Sequence, residues 1–265
     1  MTAAKSQADR AARLRTLHAG PRAFVIANAF DPGSARLLAS LGFEALATSS
    51  GAAAGVLGRK DGELTRDEAV AHVRALSAAT ELPISADLEN GFGDRPEDCA
   101  ETIRRAAEAG AVGGSIEDYS GDKTRGLYPI GQAVERIAAA VEAARALPFA
   151  GFQLTARAEN LLRGPHDLEE TIARLQAYEK AGADVLFAPA LPDLAAVRAV
   201  CAAVGKPVNF MVGIKGRSFD LASLEAAGVR RVSLATSLYR AAMASLRAAA
   251  EEVRTHGTFG YLDRM

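Results

Sequence analysis

Short runs rich in Val, Ile, Leu and Phe alternate along the chain with longer alanine-rich stretches, and Gly, Pro, Asp or Asn marks each change. A short apolar run bounded by turn residues reads as a buried strand, and an apolar stripe at i, i+3 and i+4 reads as an amphipathic helix. The predicted strands are AFVIANAF (23–30), EALATSS (44–50), PISADLE (83–89), GGSIED (113–118), FQLTARAE (152–159), VLFAPA (185–190), PVNFMVG (207–213) and RVSLATS (231–237). Helical stripes run between them, as in SARLLASLGF (34–43), RDEAVAHVRALSAAT (66–80), PEDCAETIRRAAEAG (96–110) and DLEETIARLQAYEKAG (167–182). Pro96 and Pro192 fall where a first helical turn tolerates proline, and Gly42, Gly110, Gly182 and Gly228 fall where helices end.

Eight strand-then-helix units, with the weakly repeated endings AGA and LGF, predict a (β/α)8 TIM barrel, a single domain over residues 1–265. An open doubly wound sheet is the rival architecture. It would carry a glycine-rich phosphate loop after the first strand, whereas that strand runs into NAFDPGSA. Two connections exceed what barrel closure needs: 51–68 after the second strand and 119–131 after the fourth. Both follow strand C-termini, the face on which barrel enzymes do their chemistry, and 119–131 is read as a gating loop.

Composition narrows the class. The balance of 49% apolar and 24% charged residues is that of a globular protein. A formal net charge of −1, without a basic tract, gives nucleic acid nothing to bind to. The N-terminus is polar with a helical pattern and lacks an apolar leader, and no stretch is long and apolar enough for a membrane span, so a cytoplasmic protein is expected. Cys99 and Cys201 show no metal or disulfide spacing and read as buried small hydrophobes.

The ends of the predicted strands are strongly acidic. Asp61 lies in the second loop, Asp87 and Glu89 at the third strand, Glu117 and Asp118 at the fourth, Arg157 and Glu159 at the fifth and Asn209 on the seventh. Residues two apart on a strand share a face, so Asp87 and Glu89 are expected to point together at the barrel mouth. Adjacent carboxylates repel unless a positive charge lies between them. Oxygen ligands with no Cys or His nearby suit Mg2+, or Mn2+, better than zinc. The alternative for each acid is an exposed loop residue or a helix cap, such as Asp94 before Pro96. Arg157 is shaped to grip a substrate carboxylate or phosphonate in bidentate fashion, its alternative being an ion pair to Glu159 or Glu117. His18, His72, His166 and His256 lie in helices, loops or the tail, and no Ser-His-Asp or HExxH pattern is readable.

SSGAAAGVLGRKDG, ISADLENGFGD, GSIED and LTARAEN, in this order on strands two to five, resemble the isocitrate lyase and phosphoenolpyruvate mutase superfamily, and the likeness runs from about Phe24 to about Arg240. The resemblance implies a (β/α)8 barrel that binds Mg2+ and breaks or makes a C–C or P–C bond of a small 2-oxo or 2-hydroxy acid through an enolate. It implies Asp87 as direct metal ligand, with Asp61, Glu89 and Glu117 holding metal-bound waters. Ser50, Gly51 and Ala52 would bind the substrate carboxylate, Arg157 the oxo-acid end, and Asn209 would line the pocket. It also implies a homo-oligomer, dimer or tetramer, although little chain follows the last helix for a C-terminal exchange.

The departures bear on the reaction. The loop YSGDKTRGLYP lacks the cysteine and histidine of the isocitrate and methylisocitrate lyases, and the Lys-x-Phe-Pro of the phosphonopyruvate enzymes. Lys123 and Arg125 offer cationic replacements there. No glutamate follows strand six in LFAPALPD. The expectation is therefore a Mg2+-dependent lyase or decarboxylase of a small 2-oxo or 2-hydroxy dicarboxylate. The alternatives are a P–C bond mutase or hydrolase, and a barrel that binds an oxo acid without turning it over.

Overall fold

The computed structural model describes residues 5–264. Residues 1–4 and 265 of the expected domain, including the start of the segment read for a leader, lie outside the described residues. The strands are β1 (Phe24–Asn28), β2 (Leu46–Ala47), β3 (Ile84–Asp87), β4 (Gly113–Glu117), β5 (Gln153–Arg157), β6 (Val185–Phe187), β7 (Val208–Met211) and β8 (Arg231–Ser233). All pair in parallel and in sequence order, with β8 returning to β1, so the expected barrel is closed.

The helices are α1 (Gln7–Ala19), α2 (Pro32–Ser40), α3 (Ser50–Val56), α4 (Arg66–Ala79), α5 (Pro96–Glu108), α6 (Ile130–Arg145), α7 (Asn160–Arg163), α8 (Leu168–Lys180), α9 (Leu194–Ala203), α10 (Leu221–Ala226) and α11 (Ser237–His256). Side-chain caps satisfy the free N–H groups at many of their starts: Asp31 for α2, Thr65 with Glu68 for α4, Asp167 for α8, Asp193 for α9 and Asp220 for α10. Each such cap pairs an N–H that the helix itself leaves free. Gly42, Gly110, Gly182 and Gly228 take the left-handed backbone just past helix ends, as expected. Pro96 opens α5, but Pro192 precedes the Asp193 cap of α9 and is not helical.

The core has two shells. Ile103, Ile137, Leu154, Leu175 and Leu186 pack helices α5, α6 and α8 against the outer face of the wall. Inside, Phe24, Ile26, Ala45 and Ala47 join Leu14 of α1, which stoppers the barrel at the N-terminal ends of its strands. Cys99 is buried, while Cys201 is only partly so.

Three expectations are corrected. The strands are shorter than their apolar runs, because the last residues of each run turn outward to build the mouth. The first long connection, 51–68, opens as a helix, α3, before it becomes loop: Ser49 caps it by accepting from Ala52 N–H at 3.3 Å. Finally, β3 stops at Asp87, and Glu89 follows with φ +48°, so strand alternation does not align the two carboxylates.

Candidate active site

Strand register brings the charged ends of β3, β4 and β5 together: Asp87 pairs with Ser115, and Glu117 with Arg157. Arg157 is the hub. Its guanidinium lies 3.1 Å from Asp87, 3.1 Å from Glu117 and 2.8 Å from Glu159, and 4.9 Å above the Phe187 ring. Burial opposes its charge, but Glu159, Glu117 and Asp87 outweigh that and raise its pKa. The ion pair foreseen with Glu159 or Glu117 is thus made to both, and to Asp87 as well. Burial also pushes the carboxyls of Glu117 and Glu159 above the usual carboxylate range, with the charge of Arg157 only partly opposing it.

Asp87 is fixed from several sides. Its Oδ2 accepts from Ser50 N–H at 3.0 Å, its Oδ1 accepts from Arg157, and its own N–H donates to Thr48 Oγ1 at 2.7 Å. Ser50 Oγ in turn donates to Asp61 Oδ1 at 2.9 Å. Glu89 sits nearby with Oε1 buried and without a hydrogen-bond partner. Burial, then the negative charges of Asp87 and Asp61, push its carboxyl up to about 8.

These groups border two adjoining spaces. The deeper cavity, about 240 Å³, lies at the barrel axis, where Ser50, Gly51, Asp61, Asp87, Arg157 and Asn209 meet. The outer one, about 690 Å³, shares Ser50, Asp61 and Arg157 and extends past Glu89 and Glu117 to Lys123. Most of the expected site residues therefore converge on one mouth. Ala52 does not reach it: its N–H is taken by Ser49 and its side chain is buried. Ser50 N–H is occupied by Asp87. Gly51, second in α3, keeps an N–H that the helix does not use. A Cβ there would meet Thr236 at 2.9 Å and Asp61 at 3.2 Å, so only glycine fits without displacement.

The loop after β4 is held down. Arg125 makes a two-pronged pair with Asp94 at 2.6 and 2.9 Å, and Tyr128 donates to the same carboxylate at 2.6 Å. Asp94 is thus a latch for the loop, and the cap position before Pro96 belongs to Arg95. Arg125 is committed to that latch, while Lys123 faces the outer cavity. Beneath the loop, Arg136 stacks on Tyr128 at 4.1 Å and donates to the carbonyls of Asn90 and Gly93.

Asp118 turns away from the mouth. Its carboxylate accepts from Arg174 at 3.0 Å, Tyr178 OH at 2.6 Å and Glu159 N–H at 2.8 Å, tying the end of β5 to α8. Sequence reasoning missed Arg163 and Arg231, which also line the deeper cavity. Arg163 follows β5 in α7, 3.8 Å from Asp61 and 5.3 Å from the centre of the Tyr119 ring. A cation one helical turn past a strand end is the signal that could have found it.

A closed parallel barrel with charged groups and a cavity at the C-terminal ends of its strands has the layout of a (β/α)8-barrel enzyme. Residues 14–254 match the model of the phosphoenolpyruvate phosphomutase family. The chain belongs to that family and is an enzyme of the PEP mutase/isocitrate lyase superfamily. The crystal structure of a candidate lyase/mutase from Burkholderia cenocepacia J2315 is 54% identical, superposes with a TM-score of 0.95 and covers 98% of this chain and 92% of its own. That of a 2,3-dimethylmalate lyase is 30% identical, with a TM-score of 0.86 and coverage of 95% and 89%. Oxaloacetate decarboxylase of Rhodopseudomonas palustris is 33% identical over 234 residues, 86% of this chain and 78% of the relative.

Proposed function

We propose that the enzyme cleaves a C–C bond of a small 2-oxo or 2-hydroxy dicarboxylic acid, as a lyase or decarboxylase. The observation that carries this reading is the Arg157 cluster, a fixed guanidinium among carboxylates at a cavity of about 240 Å³, large enough for a four- or five-carbon acid. Relatives named for 2,3-dimethylmalate and oxaloacetate support the substrate class. Gly51, whose N–H the helix leaves free, would receive one carboxylate of the substrate, with Ser50 beside it once its hydroxyl turns from Asp61, and Asn209 would line the far side. Arg157, preset by its three partners, would stabilise negative charge as it grows on the oxo-acid end, without reorganising during the reaction.

The donor set fits a hard divalent cation. Asp61, Asp87, Glu89 and Glu117 offer hard carboxylate oxygens at one mouth, and Glu89 Oε1 is buried with no partner. Among the described residues, no three acidic, His or Cys groups stand as a ready-made cage. Mg2+, or Mn2+, would keep several waters of its own. Asp87 would hold it directly, and Asp61, Glu89 and Glu117 through water. When bound, the cation would supply Lewis-acid stabilisation of the charge developed as the bond breaks.

A second reading, P–C bond chemistry on a phosphonate, draws on Lys123, which borders the outer space beside Glu89 and Glu117. The loop 119–131 would then close Lys123 onto the phosphonate, the gate role proposed for it in either reading. Comparing turnover of oxaloacetate and phosphonopyruvate by purified protein with Mg2+ decides between them. Turnover of oxaloacetate is expected, and turnover of phosphonopyruvate alone would overturn the first reading.

The chain acts as one domain, as a homo-oligomer and in the cytoplasm. No residue of α11 is buried, and Met243, Leu246 and Val253 leave it an apolar stripe that supports self-association. Two free cysteines accord with a reducing compartment. No helix of the described residues is long and apolar enough to cross a membrane.

A further inference from the structure

Arg231 begins β8, faces the barrel interior and is 5% exposed. Its Nη1 donates to Thr155 Oγ1 at 3.1 Å, while Nε is buried and has no hydrogen-bond partner. Among the described residues no carboxylate lies within ion-pair distance of it, and Asp87 acts on it only from further away. A buried guanidinium in that condition is costly to the fold, because desolvation is not offset by a counter-charge.

Its surroundings show where a counter-charge could come from. Access from below is closed by α1, whose buried His18 packs edge-on against Phe24 at 5.1 Å and is held neutral by burial and by the charge of Arg231 itself. The open side is the deeper cavity, which Arg231 lines together with Ser85, Ser115 and Asn209, below Asp87 and Arg157. Ser85 Oγ and Asn209 Oδ1 are also buried without partners. Arg157 is held by three carboxylates; of the other arginines lining this cavity, Arg163 is exposed beside Asp61 and Arg240 gives Nη2 to the Gly213 carbonyl at 2.6 Å, so the buried guanidinium with an unpartnered N–H here, among the described residues, is Arg231.

We propose that Arg231 is a ligand-binding residue that takes a carboxylate-sized oxyanion at the cavity floor, with the Ser85 hydroxyl as a second donor. The inference rests on the reading of this cavity as the substrate site. The oxyanion is either the inner carboxylate of the substrate or a free small anion, and both use the same fork of N–H groups.

The probe is formate, in EDTA so that no divalent cation contributes, with chloride at equal ionic strength as control. Thermal unfolding of the wild type should shift upward with formate in a saturable way. Arg231→Gln should weaken that binding roughly tenfold or more, and Arg231→Lys, which keeps the charge but loses the fork, should weaken it to a lesser degree. If Arg231→Gln does not fold, Arg231→Lys alone decides. Formate acting no differently from chloride on the wild type, or binding both variants as tightly as the wild type, would overturn the proposal. Competitive inhibition of oxaloacetate turnover by formate identifies the site as that of the substrate carboxylate, and non-competitive inhibition identifies a separate anion. Absence of turnover would sink the proposed function while leaving the unfolding measurement able to judge Arg231.

Discussion

Ser50 gives its backbone N–H to Asp87 Oδ2 at 3.0 Å, so the first turn of α3 and the carboxylate that ends β3 form one unit. The sense of the bond is that of an anion at a helix start, and it aims the other oxygen of Asp87 at Arg157. Asp87→Ala should lower turnover with Mg2+ by about a hundredfold or more, the scale of losing a metal ligand. Circular dichroism should be unchanged. Retention of full metal-dependent turnover would remove Asp87 from the proposed metal site.

Arg157→Lys keeps one charge among three carboxylates but cannot reach all of them. The expected result is a fall of roughly 10- to 100-fold in kcat/KM on oxaloacetate, because a point charge replaces a planar fork. Steady-state kinetics with circular dichroism as a folding control measures it. Unchanged kcat/KM would mean that the three-way geometry is incidental.

Gly55 lies under Tyr239, and an added Cβ would come within 2.7–2.8 Å of the phenol ring. Gly55→Ala should cost about 1–3 kcal/mol in chemical unfolding, the usual price of overpacking, despite the better helix propensity of alanine. A stability equal to the wild type would show that α11 can shift freely over α3.

The latch on the 119–131 loop is open to a simple test. Asp94→Ala releases both Arg125 and Tyr128, while an ion pair as exposed as that of Arg125 adds little to global stability. Limited proteolysis within 121–126 should accelerate with little change in Tm. Equal cleavage rates would indicate that Arg136 and the backbone bonds hold the loop without the latch.

His18 is held neutral, its pKa pulled down to about 3 by burial and then by Arg231. A lowered histidine contributes stability that is complete above the unfolded value of about 6.5 and is lost as pH falls toward 3, since the unfolded chain takes up the proton first. Its share of the slope approaches about 1.4 kcal/mol per pH unit in that window. Unfolding free energies of His18→Phe should lack this share between pH 6 and pH 4, and an unchanged slope would assign the acid sensitivity elsewhere.

The wall of the barrel was legible because buried parallel strands must be apolar runs, and the turn residues between them are punctuation that does not depend on tertiary contacts. The mouth was legible in kind but not in placement. Glu89 looked like a strand partner of Asp87, since alternation carries no signal that a strand has stopped; a left-handed residue is invisible unless it is glycine. GAAAGV looked like loop because its glycines masked an alanine helix whose cap, Ser49, was read as part of a strand. Asp94, Arg125 and Tyr128 meet across 31 and 34 residues of chain, a pairing that local pattern cannot supply. Arg231 was overlooked because a basic residue at the start of a short strand looks like the end of a loop, and only barrel closure turns it inward.

Glu89, Phe92, Ala190 and Ala235 hold left-handed backbone without being glycine, and all four sit in connections that leave the C-terminal rim after β3, β6 and β8. Such corners are each locally uncomfortable, and the surrounding barrel must hold them in place. The rim is consequently a set of small springs kept compressed by the wall below. Drift toward a sturdier protein would relax these corners first, and would do so at the expense of the shape of the opening.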